Sequence, residues 1–295
     1  MPLDARFRGG DTVGSRRGTL RTALLVGLPA TFLLIFFVLP TMYLLSSSLL
    51  PSEAGVVVGG ITLGNFAALL ERKLYLAVIL RTFLIGVSVG LLVVLLAYPL
   101  AYFLVRTTSR WKGALIALSL SPLLASVIVR TYGWYVILNR EGALNQAGLN
   151  LGLIDRPLQL IPSTPAIVVG LTHALLPYGV LSIMSALNGL NPNLEKAALS
   201  LGATRFQTFR TVTLPMSFAG VTGGFLLAFS LSISAYATPA ILGGPATETM
   251  ATMIRSFMTA LLDWGLGSAM GVLLLATSMV LLATAAAFGG RRDRI

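Results

Sequence analysis

Six apolar runs, each about twenty residues or longer, decide what this chain can become. They cover residues 22–45, 77–105, 114–138, 165–187, 217–242 and 266–288. A helix rises 1.5 Å per residue and the hydrocarbon core of a bilayer is about 30 Å thick, so about 20 apolar residues make one span. Lipid offers no water to the backbone, and a helix satisfies its own polar groups. Composition agrees: 56% of the residues are hydrophobic and 11% charged, where a soluble domain carries about 25% charged residues. The expected fold is an all-α integral membrane protein with six transmembrane helices. One membrane domain, residues 22–288, lies between a tail at 1–21 and a tail at 289–295. Pro29, Pro40, Pro99, Pro122, Pro177 and Pro239 fall inside the runs. Neighbouring helices and hydroxyl side chains can satisfy the carbonyls that such prolines free.

The formal charge of +11 would point to nucleic acid in a soluble protein. Here its distribution reads as topology instead, because Lys and Arg are retained on the cytoplasmic side of a membrane. With the N-terminus inside, most of the 21 basic residues fall in inner segments. They include Arg6 to Arg21 in the first tail, Arg106, Arg110 and Lys112, then Lys196, Arg205 and Arg210, and Arg291 to Arg294 in the last tail. The acids Glu53, Glu71, Glu141, Asp155, Glu248 and Asp263 fall outside. Both termini are expected in the cytoplasm, and no nucleic-acid partner is expected. The first tail resembles the basic region of a signal peptide. However, its apolar run is too long and no small-x-small cleavage site follows, so an uncleaved span is expected.

Several chemistries are excluded. Cysteine is absent and His173 is the only histidine, which removes thiolate and multi-histidine metal sites; no metal site is expected. No Gly-x4-Gly-Lys-[Ser/Thr] run occurs, so the chain builds no ordinary phosphate-binding loop. No Asp or Glu lies deep in a span, which argues against a proton-coupled carrier.

The informative stretch is the inner loop at residues 190–215. Asn191 suits a helix cap and Pro192 its first position. Glu195 lies in the first turn, where the helix dipole favours a carboxylate. Leu194, Ala197, Ala198 and Leu201 keep the i, i+3, i+4, i+7 spacing of one apolar face. Gly202 stands where that helix would stop, and Gly tolerates the left-handed conformation used there. A second short helix is expected from Thr204 toward Leu214, with Pro215 opening the next span. The product is a helix-turn-helix knob whose paired alanines allow close approach to another protein. An amphipathic loop resting on lipid headgroups fits the composition equally.

The spacing in this loop resembles the signature of binding-protein-dependent ABC importer permeases, Glu-Ala-Ala-x3-Gly-x9-Ile-x-Leu-Pro. Ala197, Ala198, Gly202, Leu214 and Pro215 fall on that pattern, and Val212 stands for its isoleucine. Lys196 departs from it by occupying the glutamate position, with Glu195 one residue earlier. The resemblance spans about residues 20–290 and implies the type I ABC importer permease fold. It makes Glu195, Lys196, Ala197, Ala198, Gly202, Leu214 and Pro215 the loop that couples to a cytoplasmic ABC ATPase dimer. ATP and Mg would then bind to that partner, with no cofactor on this chain and no covalent catalysis by it. A second permease subunit, identical or homologous, a periplasmic solute-binding protein and the lipid bilayer complete the implied partners. The implied location is the bacterial inner membrane. Residues 122–142, 144–165 and the pair Asp263-Trp264 are similar to the spermidine/putrescine-type permeases, which implies a polyamine solute. Permeases for amino acids or opines share the architecture, and a self-contained secondary transporter or a membrane anchor without a pathway are the competing readings.

Arg81 and Arg130 lie near the outer ends of their spans and are expected to snorkel to the interface, the mouth of a pathway being the rival place for Arg130. Tyr132, Trp134, Tyr178, Ser234 and Tyr236 are the candidate substrate-pathway residues; an interfacial aromatic belt would also account for Tyr132 and Trp134. Hydroxyls bonded back to their own helix would account for Ser234. His173 is expected to be a packing residue. Gly86/Gly90, Gly220/Gly224 and Gly267/Gly271 have the spacing that lets membrane helices pack closely.

Overall fold

The computed structural model describes residues 25–53 and 56–289. The tails with Arg6 to Arg21 and Arg291 to Arg294, the first residues of the first predicted span, and the side chain of Glu53 lie outside the described part. Among the described residues the regular structure is helical apart from one small hairpin. In order, α1 is Leu25–Ser48, α2 Gly64–Glu71, α3 Lys73–Arg106, α4 Lys112–Leu124, α5 Val127–Leu138, α6 Ala143–Asn150, α7 Thr164–Asn188 and α8 Pro192–Ser200. Then follow α9, Arg205–Met216, α10 Phe218–Ile233, α11 Ala237–Leu242, α12 Met250–Thr259 and α13 Trp264–Gly289.

Length and composition single out α1, α3 and α7 as unbroken helices able to cross a membrane. Two further apolar segments are bent. Lys112–Leu124 meets Val127–Asn150 at 97°, and Arg205–Met216 meets Phe218–Ile233 at 61°. The last helix is apolar over Trp264–Val280. The continuous helices expected at 114–138 and 217–242 are therefore corrected. The first breaks at Ala125 and Ser126, whose backbones are extended. The second ends at Ile233 and resumes at Ala237. Pro239 explains the second break: in a continuous helix its ring would collide with the carbonyl four residues back, that of Ala235.

Proline also explains two irregular turns. A wide π-turn at Leu34–Val38 precedes Pro40, and another at Phe209–Thr213 precedes Pro215. In the latter the Leu214 amide reaches back five residues to the Phe209 carbonyl, which opens the turn against the proline ring. Pro215 was expected to open the fifth span. Instead it lies in α9, and the span starts after the bend at Ser217.

The core is built along α3. Its buried residues run from Tyr75 through Thr82, Val89, Val93 and Ala97 to Leu104 at spacings of three and four, and so keep one face. Three apolar clusters stack on that face. Tyr75 and Val78 pack with α2, α12 and α13; Ile85, Val89 and Val93 with α7 and α10; Ala97, Ala101 and Leu104 with the later part of α7. Close approach rests on glycine. A Cβ on Gly90 would lie 2.7 Å from the Phe225 ring, and one on Gly179 would lie 2.6 Å from Val93. A Cβ on Gly220 would meet the Ser182 carbonyl at 2.8 Å. Among lipid-surrounded helices such packing and interhelical hydrogen bonds are what hold a bundle, since lipid is as apolar as leucine.

The far end is tied by polar side chains. The Asn65 amide donates to the carbonyls of Ser48 and Leu50 at 2.9 and 3.1 Å. The Ser52 hydroxyl donates to Asp263 and accepts from the Gly265 amide. Asp263 also accepts from the Leu266 amide at 3.0 Å, so it caps α13. The short helices expected in the two long outer loops are α2 and α6.

Candidate functional site

The two helix breaks face each other. The end of α4, the start of α5 and the link from α10 to α11 enclose, with α7, a cavity of about 480 Å³. Leu171, Ala174, Leu175 and Leu231 give it an apolar wall, and Arg130, Tyr178, Tyr236 and Thr238 supply the polar groups. Arg130 is the one charged side chain lining it among the described residues. Its Nη1 donates to the Pro122 carbonyl. In an unbroken helix that carbonyl would accept the Ser126 amide. The guanidinium thus satisfies an orphaned acceptor at the C-terminal end of α4, where the helix dipole also favours a cation. A lone arginine in mid-membrane costs about 2.5–3.5 kcal/mol on insertion scales. The break gives this one a partner, so it faces the cavity rather than only snorkelling outward.

The predicted pathway residues divide. Tyr178 and Tyr236 line the cavity. Tyr132 is 55% exposed on another face of α5, its ring beside Tyr135. The Trp134 Nε1–H donates to His173 Nδ1 at 3.2 Å and joins α5 to α7, which makes His173 a packing partner. Ser234 bonds back to the carbonyl of Ser230 at 3.0 Å. Tyr236 also borders a second cavity of about 220 Å³ lined by Glu248, Thr252, Arg255 and Ser256. The Arg255 guanidinium stands 5.3 Å from the centre of the Tyr236 ring. Arg81 is held at the same end, donating to the Glu248 carbonyl at 3.0 Å. Thr131 and Thr238, 3.3 Å apart, join α5 to α11 behind the cavity. Sequence reading did not single out Thr238 or Leu171. The available signal was a proline well inside each of two apolar runs, Pro122 and Pro239.

At the other end of the bundle lies the loop 190–215. Asn191 caps α8 by accepting the Asn193 amide at 3.0 Å. After Ser200 the amides of Gly202 and Ala203 bond to the carbonyls of Leu199 and Ala198, and Gly202 adopts φ +91°. This is the Schellman ending, which favours glycine. Thr204 and Gln207 then form a reciprocal capping box for α9. No residue of α8 is buried, and Leu201 and Phe206 are 89% and 71% exposed. Lys196 and Ala197 are exposed as well, and Ala198 is half-buried. Glu195 turns inward, pairing with Arg106 and accepting the Thr213 hydroxyl at 2.7 Å. Leu214 packs against the cluster of Ala97, Ala101 and Leu104, while Pro215 is exposed.

The family described as binding-protein-dependent transport system inner membrane component matches residues 159–294. The spermidine/putrescine transport system permease protein PotB of Salmonella typhimurium strain SL1344 is 30% identical over 244 residues, which is 82% of this chain and 85% of the relative. The inner membrane ABC transporter permease protein YdcU of Escherichia coli K12 is 33% identical over 198 residues, 63% of each chain. In fold, the chain is similar to a chain in the crystal structure of a bacterial alginate ABC transporter in complex with an alginate pentasaccharide-bound periplasmic protein. There the TM-score is 0.77 at 17% identity, over 95% of this chain and 96% of the other. An all-helical bundle, a loop with the signature spacing and extended sequence similarity converge on one assignment: this chain belongs to the ABC importer permease subunits, the multi-pass inner-membrane components of binding-protein-dependent transport systems.

Proposed function

We propose that the chain crosses the membrane six times with both termini in the cytoplasm, and forms a solute path together with a second permease subunit. In this reading α4 with α5, and α10 with α11, each make one broken span, and α13 makes the sixth. A periplasmic binding protein delivers the solute, and an ABC ATPase dimer, which binds ATP and Mg, docks on the loop 190–215. The observation that carries the coupling role is α8 itself. It is firmly capped and turned, yet none of its residues is fully buried among the described residues.

The solute proposed is a polyamine of the spermidine/putrescine class, supported by the similarity to PotB over most of both chains. Tyr178 and Tyr236 on the cavity wall suit an alkyl-ammonium solute, because a cation over a ring face gains about 0.5–2 kcal/mol. A second reading, a carboxylate-bearing solute such as an amino acid or opine, is favoured by Arg130 as the charged group on that wall. The test is uptake by the complete complex in proteoliposomes, with labelled spermidine, putrescine and a zwitterionic amino acid offered separately. ATP-dependent polyamine uptake is expected, with none when the ATPase is omitted under any ion gradient. Amino-acid uptake without polyamine uptake would select the second reading, and uptake without the ATPase would make the chain a secondary transporter.

A further inference from the structure

At the inner end of the bundle a ring of polar contacts begins and ends on α3. Arg106, the last residue of α3, pairs with Glu195 in the first turn of α8. The same carboxylate oxygen accepts the hydroxyl of Thr213, in the π-turn at the foot of α10. The Thr213 carbonyl accepts the Ser217 hydroxyl at 2.8 Å, and that hydroxyl lies 2.8 Å from the hydroxyl of Tyr98, back on α3. Thr213 and Ser217 are 1% and 0% exposed. The Arg106 guanidinium also rests 5.7 Å from the centre of the Tyr102 ring. Eight residues separate Tyr98 from Arg106, about 12 Å along the helix, so the ring grips α3 at two levels.

α8 packs against α9, its neighbour in the chain, and none of its described residues is fully buried, so this ring is its polar tie to α3. Glu195 is its ionic anchor, and it occupies a different position from the family signature glutamate, where Lys196 projects outward. Two physical features favour a rigid transmission here. Thr213 and Ser217 are shielded from water, where hydrogen bonds are stronger than at an exposed surface. The π-turn is the one irregular turn of α9, and the Thr213 hydroxyl holds it to α8. α3 in turn packs against α7 and α10, and these two helices form the walls of the 480 Å³ cavity.

We propose that Glu195 is the positioning residue that passes displacement of the coupling loop to α3. The Arg106–Glu195–Thr213–Ser217–Tyr98 ring makes α8, the foot of α10 and the inner end of α3 one mechanical unit. The proposal rests on the reading that the ATPase docks on this loop. Because the chain lacks cysteine, paired spin labels can be placed at will. In the complete complex in nanodiscs, one pair at Leu199→Cys and Phe103→Cys reports α8 against α3. A second pair at Leu199→Cys and Leu144→Cys reports α8 against the opposite end of the molecule. Distances are compared between the nucleotide-free and the ATP-vanadate state. The expected result is that the second distance shifts and the first does not. In Glu195→Gln the first distance shifts as well, and the charge exchange Glu195→Arg with Arg106→Glu fixes it again. A shift of the first distance in the unaltered ring overturns the proposal, and so does a constant first distance in Glu195→Gln. A second distance that never responds to nucleotide removes the docking reading, and the transmission role with it.

Discussion

Gly220 shows at the residue scale why this bundle needs glycine where it has it. An added Cβ would come within 2.5 Å of the Ala186 Cβ and 2.8 Å of the Ser182 carbonyl oxygen. A backbone oxygen cannot swing aside as a side chain can, and the Ser182 hydroxyl already holds the Gly220 carbonyl at 2.9 Å. Gly220→Ala is therefore expected to lower stability by about 1–3 kcal/mol, read as a lower thermal midpoint in detergent. Gly113→Ala, where nothing lies within 4 Å, is expected to leave the midpoint unchanged or raise it. Equal midpoints for the two variants would show that the helices tolerate separation there. The spacing motif by itself did not rank these sites. Gly271, in an equivalent pair, has only ordinary contact with Leu44 at 3.7 Å.

Among the elements, the broken fifth segment carries the most consequence. Pro239 disfavours a straight helix through Ala235, and the residues at the break, Ala235 to Thr238, line the cavity. Replacing Pro239 by Ala removes the ring clash and lets α10 run on into α11, at a gain of up to about 3 kcal/mol in helix propensity. The expected outcome is a protein no less stable whose uptake falls sharply, measured by thermal unfolding beside transport in the complete complex. Full uptake by Pro239→Ala would show that tertiary contacts such as Thr131–Thr238 hold the break without the proline. The turn at Gly202 is a contrasting case. Its helix, its stop and the start of the next helix were readable from Asn191, Gly202 and Thr204, because capping is a local matter between neighbours in sequence; the Gln207 half of the second cap came from the structure. The inward orientation of Glu195 was not readable, since its partners Arg106 and Thr213 lie far off in the chain.

For the whole molecule the prediction concerns sidedness. If the basic loops are cytoplasmic, the exposed residues Asp155 and Arg110 lie on opposite sides of the membrane. Single cysteines at the two positions, probed in intact spheroplasts with a membrane-impermeant thiol reagent, are expected to label at Asp155→Cys and not at Arg110→Cys. The reverse pattern would invert the molecule and put the coupling loop on the wrong side for a cytoplasmic ATPase. The same architecture sets how the parts communicate. α3 runs the length of the bundle and joins all three core clusters, so it connects the loop at one end to the helix breaks and cavity beside it.

By itself the sequence determined the solvent, the fold class and the local folding of the loop 190–215. Apolar runs of span length permit only self-satisfied helices in lipid, and caps and turns act between residues a few positions apart. Tertiary structure decided where two of those runs break, that Tyr178 and Tyr236 share a cavity while Tyr132, Trp134 and Ser234 do not, and that Arg130 caps the end of α4. These outcomes depend on which helix faces which. In a run that is apolar all round, hydrophobic periodicity carries little information about direction. The decision falls instead to glycine contacts, proline clashes and a few long-range hydrogen bonds, whose partners meet only when the helices have packed.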